Sequence, residues 1–202
     1  VSTSFSVTVV AILESGSRGY LFARTDTSGF VRHYSLYVPS TGSVRMYYRP
    51  AGMGRNLVAY FSGVEINDGR LHTVLLTVSG LTARLQVDDE ISTVPLAGMV
   101  SDCSGANCVF HVGQRSAGLG RTQWVMRGLI AGLAVHPTAS HVNVPKHGAF
   151  QTANLIDQST GTLSGNAILA PNNALAFNGA GHFELGANVD AFMRGTTPTL
   201  VS

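Results

Sequence analysis

The clearest pattern of apolar and polar positions lies in residues 67–90. Val74, Leu76 and Val78 fall on one face, with Thr73 and Thr77 on the other, which is the period-two pattern of a strand with one buried face. After a Ser-Gly turn signal, apolar residues recur at every second position: Leu81, Ala83, Leu85 and Val87. The segment therefore predicts two strands joined by a tight hairpin.

Strand patterns of the same kind recur along the chain between turns that contain glycine or proline. They cover residues 5–13, 18–24, 34–38, 44–48, 91–96, 110–115 and 126–135. We find no long run with helical spacing, charged residues make up only 12%, and 23 of the 202 residues are glycine. A chain of this length can form one large all-β unit, so the pattern predicts an all-β sandwich.

Two motifs in these segments resemble those of a known family. Residues 68–88 follow the order Asp-Gly-x-x-His-x-Val, strand, turn, Leu-x-Val-Asp, and residues 110–115 read Phe-x-Val-Gly-Gln-Arg. With these motifs, residues 5–137 resemble the laminin G-like and thrombospondin N-terminal-like domains of the concanavalin A-like jelly-roll superfamily. The resemblance implies a two-sheet antiparallel jelly-roll sandwich, and it implies a domain that binds or builds rather than catalyses. It departs from the family at Leu71, where an aromatic residue usually precedes the histidine.

The order of the family's segments is inverted in this chain. Residues 174–185 resemble the opening strands of such domains, yet they come last here. We expect the main body of the sandwich over residues 1–137, a connector over 138–151, and the opening strands over 152–202. These strands either complete their own sandwich, as in a circular permutation, or complete a neighbouring copy by strand addition.

Apolar positions on one side of the predicted strands form the expected core. Their burial between the sheets would supply the main driving force for folding. The expected core residues are Phe5, Val7, Val9, Leu21, Leu36, Val74, Leu76, Leu85, Val87, Phe110, Val112, Ile130, Leu133, Leu175 and Phe177.

Charge and hydropathy limit the classes of partner. The formal net charge is only +2, from 13 basic and 11 acidic residues, which is too small an excess to predict nucleic-acid binding. No apolar run approaches the roughly 20 residues that a membrane-spanning helix needs, so we expect no membrane insertion. The partners we expect are neighbouring copies or other extracellular proteins, with glycans as a further class.

The chain has two cysteines, Cys103 and Cys108, separated by four residues. A disulfide across this short loop is sterically feasible, and we favour it. A metal site with two thiolates is less well supported because a second cysteine pair is missing, and free thiols in a reducing compartment are the other alternative. With the family resemblance, the disulfide predicts an extracellular or cell-surface protein.

Candidate catalytic residues are few. Asp88, Asp89 and Glu90 follow one another at a strand end, where successive side chains point in opposite directions, so a solvated turn explains them better than a catalytic pair. The Gly-x-Ser-x-Gly motif of hydrolases is absent, and His72 lies in a predicted strand, where the family resemblance implies a structural role. We expect no enzyme, although two carboxylates converging on a cleft would favour a hydrolase.

Calcium is the ion that the resemblance brings into consideration. Many laminin G-like domains hold calcium at the rim of the sandwich with aspartate and carbonyl ligands. Asp26, Asp88 and Asp102 are candidates in predicted loops, but their spacing matches no ligand motif. We therefore expect no cofactor and leave the metal site unassigned.

A candidate glycan-binding group lies at residues 45–49. Arg45, Tyr47 and Arg49 share one face if this segment is a regular strand, and the resemblance implies heparin-like glycans, whose sulfates are met by clustered cations. Scattered solubilising charges are the simpler explanation. The sequence thus predicts a non-enzymatic extracellular adhesion or scaffold module, as a repeat or subunit of a fibrous or surface assembly. A heparin-like or lectin-like glycan-binding domain is the alternative.

Overall fold

Each strand in the structure belongs to one of two antiparallel sheets. The computed structural model describes residues 4–26, 32–101, 108–113, 126–136, 162–165, 168–170, 174–178 and 181–185, and in the last four segments it describes the side chains of Leu175 and Ala176 only. The strands in these residues are β1 Ser4–Leu13, β2 Gly19–Asp26, β3 Arg32–Val38, β4 Ser43–Tyr48, β5 Leu57–Glu65, β6 Leu71–Ser79, β7 Thr82–Val87, β8 Glu90–Pro95, β9 Cys108–Val112, β10 Arg127–His136, β11 Thr162–Gly165, β12 Ile168–Ala170, β13 Ala174–Asn178 and β14 Gly181–Leu185.

The two sheets have seven strands each. Sheet A has the order β12-β13-β10-β1-β6-β7-β8, and sheet B has the order β11-β14-β9-β2-β3-β4-β5. The described residues contain no helix. The prediction of an all-β, two-sheet antiparallel sandwich is confirmed.

The predicted hairpin is β6 and β7. Leu76 faces Leu85 and Val78 faces Ala83 across the pair, and these residues are fully buried. Gly80 forms the turn with a φ of 56°, a conformation that glycine adopts without steric cost. The predicted strands and the hairpin that joins them are confirmed.

The core lies between the inner faces of the sheets. Phe5 stacks on Tyr34 with ring centroids 4.3 Å apart, and Phe22 stacks on Phe110 at 5.4 Å. Every predicted core residue belongs to this cluster except Phe177, whose side chain lies outside the described residues. The core prediction is confirmed for the rest.

Strand β5 is not among the predicted strands. Residues 57–61 read Leu-Val-Ala-Tyr-Phe, a continuous apolar run that shows no alternation. In the structure, Ala59 and Phe61 are buried, whereas Tyr60 is 63% exposed. The strand forms one edge of sheet B and pairs with β4, so it brings Tyr60 to the outer face of that sheet.

A glycine in the Met-x-Gly-x-Ile segment is required by close strand packing. Gly128 has a φ of 143°, and a Cβ atom there would collide with the carbonyl oxygen of Ile12. It lies where β10 pairs with the end of β1. Any larger residue would push the two central strands of sheet A apart.

The C-terminal strands extend both sheets. In sheet A, residues 175–178 of β13 pair with residues 127–130 of β10, and in sheet B β14 pairs with β9. The predicted connector, residues 138–151, lies outside the described residues. That these strands complete their own sandwich in solution, rather than that of a neighbouring copy, stays a prediction.

A designed disulfide tests this arrangement. Leu129 faces Ala176 across the β10–β13 pair, and facing residues in an antiparallel pair lie about 4.5–5.5 Å apart at Cα, within the range of a disulfide. We expect the Leu129→Cys/Ala176→Cys variant, oxidised at low concentration, to form an intrachain bond and to run as a monomer on a non-reducing gel.

A matched control is Thr8→Cys/Ala134→Cys, which joins β1 and β10 and is intrachain in either arrangement. A ladder of covalent dimers and larger species, seen with the Leu129/Ala176 pair and not with the control, would show that the strands are exchanged between copies.

Candidate functional site

Strand β4 divides its residues between the core and the outer face of sheet B. Val44, Met46 and Tyr48 are buried in the core, so Arg45 and Tyr47 point outward. Two of the three predicted glycan-binding residues therefore share a face. The third follows the last residue of β4.

That third residue, Arg49, serves its own loop. Its Nε donates a hydrogen bond to the carbonyl oxygen of Met53 at 2.8 Å. Its backbone N–H also donates to the carbonyl of His33 at 2.9 Å. Part of its hydrogen-bonding capacity is thus used to hold the loop after β4.

Tyr47 belongs to a group of three tyrosines, which we call the tyrosine cluster: Tyr20, Tyr37 and Tyr47. The ring centroids of Tyr20 and Tyr37 are 4.9 Å apart, and those of Tyr37 and Tyr47 are 5.9 Å apart. Arg32 lies over the Tyr47 ring with its Cζ 4.6 Å from the centroid, and it donates to the Tyr20 hydroxyl at 3.2 Å. Burial, followed by the neighbouring tyrosines, raises the pKa of Tyr37 above its ordinary value.

Half-buried Arg45 and exposed Tyr60 lie on the same outer face of sheet B. They face each other across β4 and β5, and the Arg45 Cζ lies 5.2 Å from the Tyr60 ring centroid, a cation–π distance. Among the described residues, the Arg45 Nε is buried without a hydrogen-bond partner. We call this pair the Arg45–Tyr60 platform. It combines an exposed ring with a guanidinium, which suits a ligand that has both an apolar face and an anionic group.

Sequence reasoning missed Tyr60 because the strand that carries it has no alternating pattern. Tyr20 and Tyr37 lie in predicted strands, but their contact depends on the order of strands in the sheet. One signal was available. Tyr37 lies between Leu36 and Val38, both core residues, so alternation alone would have placed it on the outer face.

The Asp-Gly-x-x-His motif forms a second group, which we call the carboxylate–histidine cluster: Asp68, His72 and Asp88. The His72 Nδ1 lies 2.8 Å from the Asp88 Oδ2, and its Nε2 lies 2.9 Å from the Asp68 Oδ1. Asp88 also accepts from the Thr73 backbone N–H at 2.9 Å. The spacing of the motif therefore serves to tie the β5–β6 loop to the β7–β8 turn through one imidazole.

The geometry of this cluster does not suit catalysis. A histidine that acts as a general base keeps one ring nitrogen for the nucleophile, while the other is oriented by a carboxylate. Both nitrogens of His72 are engaged by carboxylates. The two carboxylates converge on the histidine and not on a cleft, so this arrangement is a structural brace.

No family model matches the chain, and no curated protein matches it either. Among solved structures, a pentraxin from Limulus polyphemus matches 92% of this chain and 85% of its own at 14% identity, with a TM-score of 0.52. Domains LG4–5 of mouse laminin α1 match 75% of this chain and 40% of theirs at 16% identity, with a TM-score of 0.52.

A third similar structure is the carbohydrate-binding module CBM40 of a Ruminococcus gnavus sialidase, bound to α2,3-sialyllactose. It matches 70% of this chain and 78% of its own at 15% identity, with a TM-score of 0.53. These proteins are concanavalin A-like jelly-roll sandwiches. The chain has this fold. At such low identity the likeness establishes the jelly roll alone, and the predicted laminin G-like architecture is confirmed at that level.

The two calcium candidates that the structure describes lie at opposite ends of the sandwich, Asp26 at the end of β2 and Asp88 in the turn after β7. Asp88 is bound to His72 and Thr73, and Asp102 lies outside the described residues. No group of three or more histidines, cysteines or carboxylates that could hold a metal occurs among the residues described.

The structure describes one of the two cysteines of the predicted disulfide. Cys108 begins β9 and is not a free thiol, whereas Cys103 lies outside the described residues. Their pairing stays a prediction. Where the jelly roll is described, no helix is long and apolar enough to cross a membrane.

The carboxylate–histidine cluster gives the jelly roll a pH-dependent contribution to stability. Burial alone would lower the pKa of His72, but hydrogen bonds to Asp68 and Asp88 outweigh it and raise that pKa above 6.5. The hydrogen bond from His72 lowers the pKa of Asp68 below 3.8.

These two shifts set the direction of the pH effect. A raised histidine pKa stabilises the fold below the unfolded value and loses this effect as the pH rises through the folded value. A lowered carboxyl pKa stabilises the fold above the unfolded value and loses this effect as the pH falls through the folded value. The cluster therefore contributes most between pH 3.8 and 6.5.

We predict that His72→Gln lowers the Tm at pH 5.5 by about 1–3 °C and has a smaller effect at pH 8.5, because partly exposed ion pairs contribute about 0.2–1 kcal/mol. Thermal unfolding of both proteins across this pH range measures the difference. The control is His33→Gln, because burial lowers the pKa of His33 and its loss should not reproduce this profile. Equal losses of Tm for His72→Gln at both pH values would contradict the prediction.

Proposed function

We propose that this chain is a non-enzymatic extracellular adhesion or scaffold module that binds through the outer face of sheet B. The observation that carries the proposal is the Arg45–Tyr60 platform beside the tyrosine cluster. Aromatic residues and arginine are the types enriched at energetically important positions of protein interfaces. A ring that is 63% exposed on a strand is a suitable anchor for a partner.

We propose a non-enzymatic module because of the hydrogen bonds that the histidine side chains already make within the fold. His72 is closed on both sides by carboxylates, and His33 binds the Ser101 hydroxyl at 2.8 Å. His72 therefore offers no open nitrogen of the kind that proton transfer to a ligand needs. The similar solved structures named above are binding domains, which supports a binding module.

The extracellular location is proposed from the cysteine pair. A disulfide between Cys103 and Cys108 would persist in an oxidising compartment and not in the cytosol. The proposal gains support from the jelly-roll neighbours, which include a laminin.

Binding of the labelled chain to a decellularised extracellular matrix tests the function. We predict saturable binding that Tyr60→Ser weakens at least about tenfold, as loss of an interface anchor does. Leu81→Ser is the matched control, because Leu81 is also exposed, at 55%, but lies in the turn between β6 and β7. Equal losses in the two variants, or none in either, would contradict binding through sheet B.

Glycan binding is the second candidate, and it is favoured by the chemistry of the same platform. The exposed face of Tyr60 suits the C–H face of a sugar ring, and the guanidinium of Arg45 suits a carboxylate or sulfate. The CBM40 module with a similar fold is a sialyllactose binder. The ligand class in this case is an acidic saccharide.

For this candidate we predict salt-sensitive retention on immobilised heparin or sialyllactose. Arg45→Ala should reduce the affinity by about 10- to 100-fold, since hydrogen bonds to charged groups contribute roughly 1.5–3 kcal/mol, and Arg49→Ala should have a smaller effect. Arg84→Ala is the control, because Arg84 is a half-buried arginine on β7 that binds Gln86. Retention that falls equally in Arg84→Ala would reveal non-specific cation binding and exclude this site.

A further inference from the structure

Four loops are tied together at one end of the sandwich. The side-chain amide of Asn67 donates to the carbonyls of Ser17 at 3.0 Å and Ser40 at 3.1 Å, and the Gly69 N–H donates to the Leu13 carbonyl at 2.9 Å. The carboxylate–histidine cluster adds the β7–β8 turn. This end is therefore a fixed surface and not a set of independent loops.

The same end carries an excess of carboxylates, and we call it the acidic end. Its exposed acidic residues are Glu14, Glu65, Asp68, Asp88, Asp89 and Glu90, and its exposed arginines are Arg18, Arg70 and Arg127. Six acids and three arginines give a charge of −3 for this set before His72 is counted. Two large apolar side chains are also exposed close by, Leu71 at 48% and Ile91 at 56%.

Two loops at the opposite end carry positive charge and exposed methionines, and we call this end the methionine end. These two loops, residues 49–56 and 96–101, contain Arg49, Arg55 and no carboxylate, and one carboxylate, Asp26, lies on the same side at the end of β2. Met53 is 40% exposed and Met99 is 38% exposed. Apolar tips flanked by positive charge thus occupy this end.

The two loops of the methionine end are also fixed in position. The Ala51 N–H donates to the Met99 carbonyl at 2.8 Å, and the Ser101 N–H donates to the Arg49 carbonyl at 2.7 Å. A surface that is already ordered loses little conformational entropy when it binds.

Strand direction places these surfaces at opposite ends of the molecule. Strand β8 begins at Glu90 on the acidic end and finishes at Pro95, and the loop that follows carries Met99. Strand β4 likewise runs from the β3–β4 turn at the acidic end to the loop that carries Met53. Each copy therefore carries both surfaces, pointing in opposite directions.

We propose that the methionine end of one copy docks on the acidic end of the next copy. Arg49 and Arg55 would meet the carboxylates of the β7–β8 turn, and the methionines would meet the exposed apolar residues of that end. Opposite charges across a contact favour this register and this partner. Because the two surfaces differ, the contact is heterologous, so it adds further copies unless its rotation closes a ring.

This inference rests on the proposed scaffold function, because it names a second copy as the partner. It concerns surfaces other than the Arg45–Tyr60 platform. Loss of assembly with matrix binding intact would overturn the contact alone, whereas loss of matrix binding with assembly intact would overturn the proposed platform alone.

Light scattering of the wild-type chain and two charge reversals, Arg55→Glu and Glu90→Arg, tests the contact. We expect the wild-type mass to grow with concentration at low salt and to fall towards the monomer in 1 M salt, where charges are screened beyond about 3 Å. Each variant alters one of the two surfaces and keeps the other, so each alone should associate at least about tenfold more weakly than the wild type.

The decisive sample is an equimolar mixture of the two variants. The intact methionine end of Glu90→Arg can dock on the intact acidic end of Arg55→Glu, and the two altered ends, whose charges are swapped, are also opposite in sign. We therefore expect the mass of the mixture to exceed that of either variant alone at the same total concentration. Arg84→Glu, which alters the middle of β7, is the control and should assemble like the wild type.

Three results would overturn the proposal. They are a wild-type chain that stays monomeric at every concentration, a mixture that stays monomeric, and variants that assemble like the wild type. If the variants assemble like the wild type and the Leu129/Ala176 cysteine pair also gives a ladder of covalent species, the copies associate by strand exchange instead. Circular dichroism checks the fold of each variant, and Met53→Ser/Met99→Ser removes the same surface without a charge reversal if Arg55→Glu misfolds.

Discussion

Contact between the inner faces of the two sheets holds every other feature of this molecule in place. Phe5 packs on Tyr34 across the sandwich, and the same layer contains Phe22 and Phe110. Because side chains alternate along a strand, filling this layer fixes which residues must point outward. The polar chemistry of sheet B is therefore a consequence of the apolar pattern beneath it.

The sequence was most informative where structure is local. The β6–β7 hairpin followed from alternation, because a tight turn sets the register of its strands, and every predicted core residue but Phe177 belongs to the observed core. The pairing of Arg45 with Tyr60 did not follow, since it depends on β5, where a continuous apolar run hides the inward and outward positions. A bulge between Ser43 and Arg45 also shifts that register, and bulges of this kind leave little trace in composition.

The two polar groups differ in how much of their chemistry is already used. In the carboxylate–histidine cluster, each ring nitrogen and each carboxylate is engaged within the fold, which suits a brace. In the Arg45–Tyr60 platform, the tyrosine is 63% exposed and the arginine guanidinium lies 5.2 Å from its ring centroid, which suits recognition. The motif that identified the fold is thus structural, and the surface with unused chemistry has no sequence motif.

The position of the platform on paired strands has an energetic consequence. A recognition loop must be ordered when its ligand binds, and fixing the backbone of one residue opposes binding by about 1–2 kcal/mol. The backbones of Arg45 and Tyr60 are already fixed by pairing within sheet B. A ligand would have to immobilise only side chains, so even a few weak contacts could give measurable affinity and fast exchange.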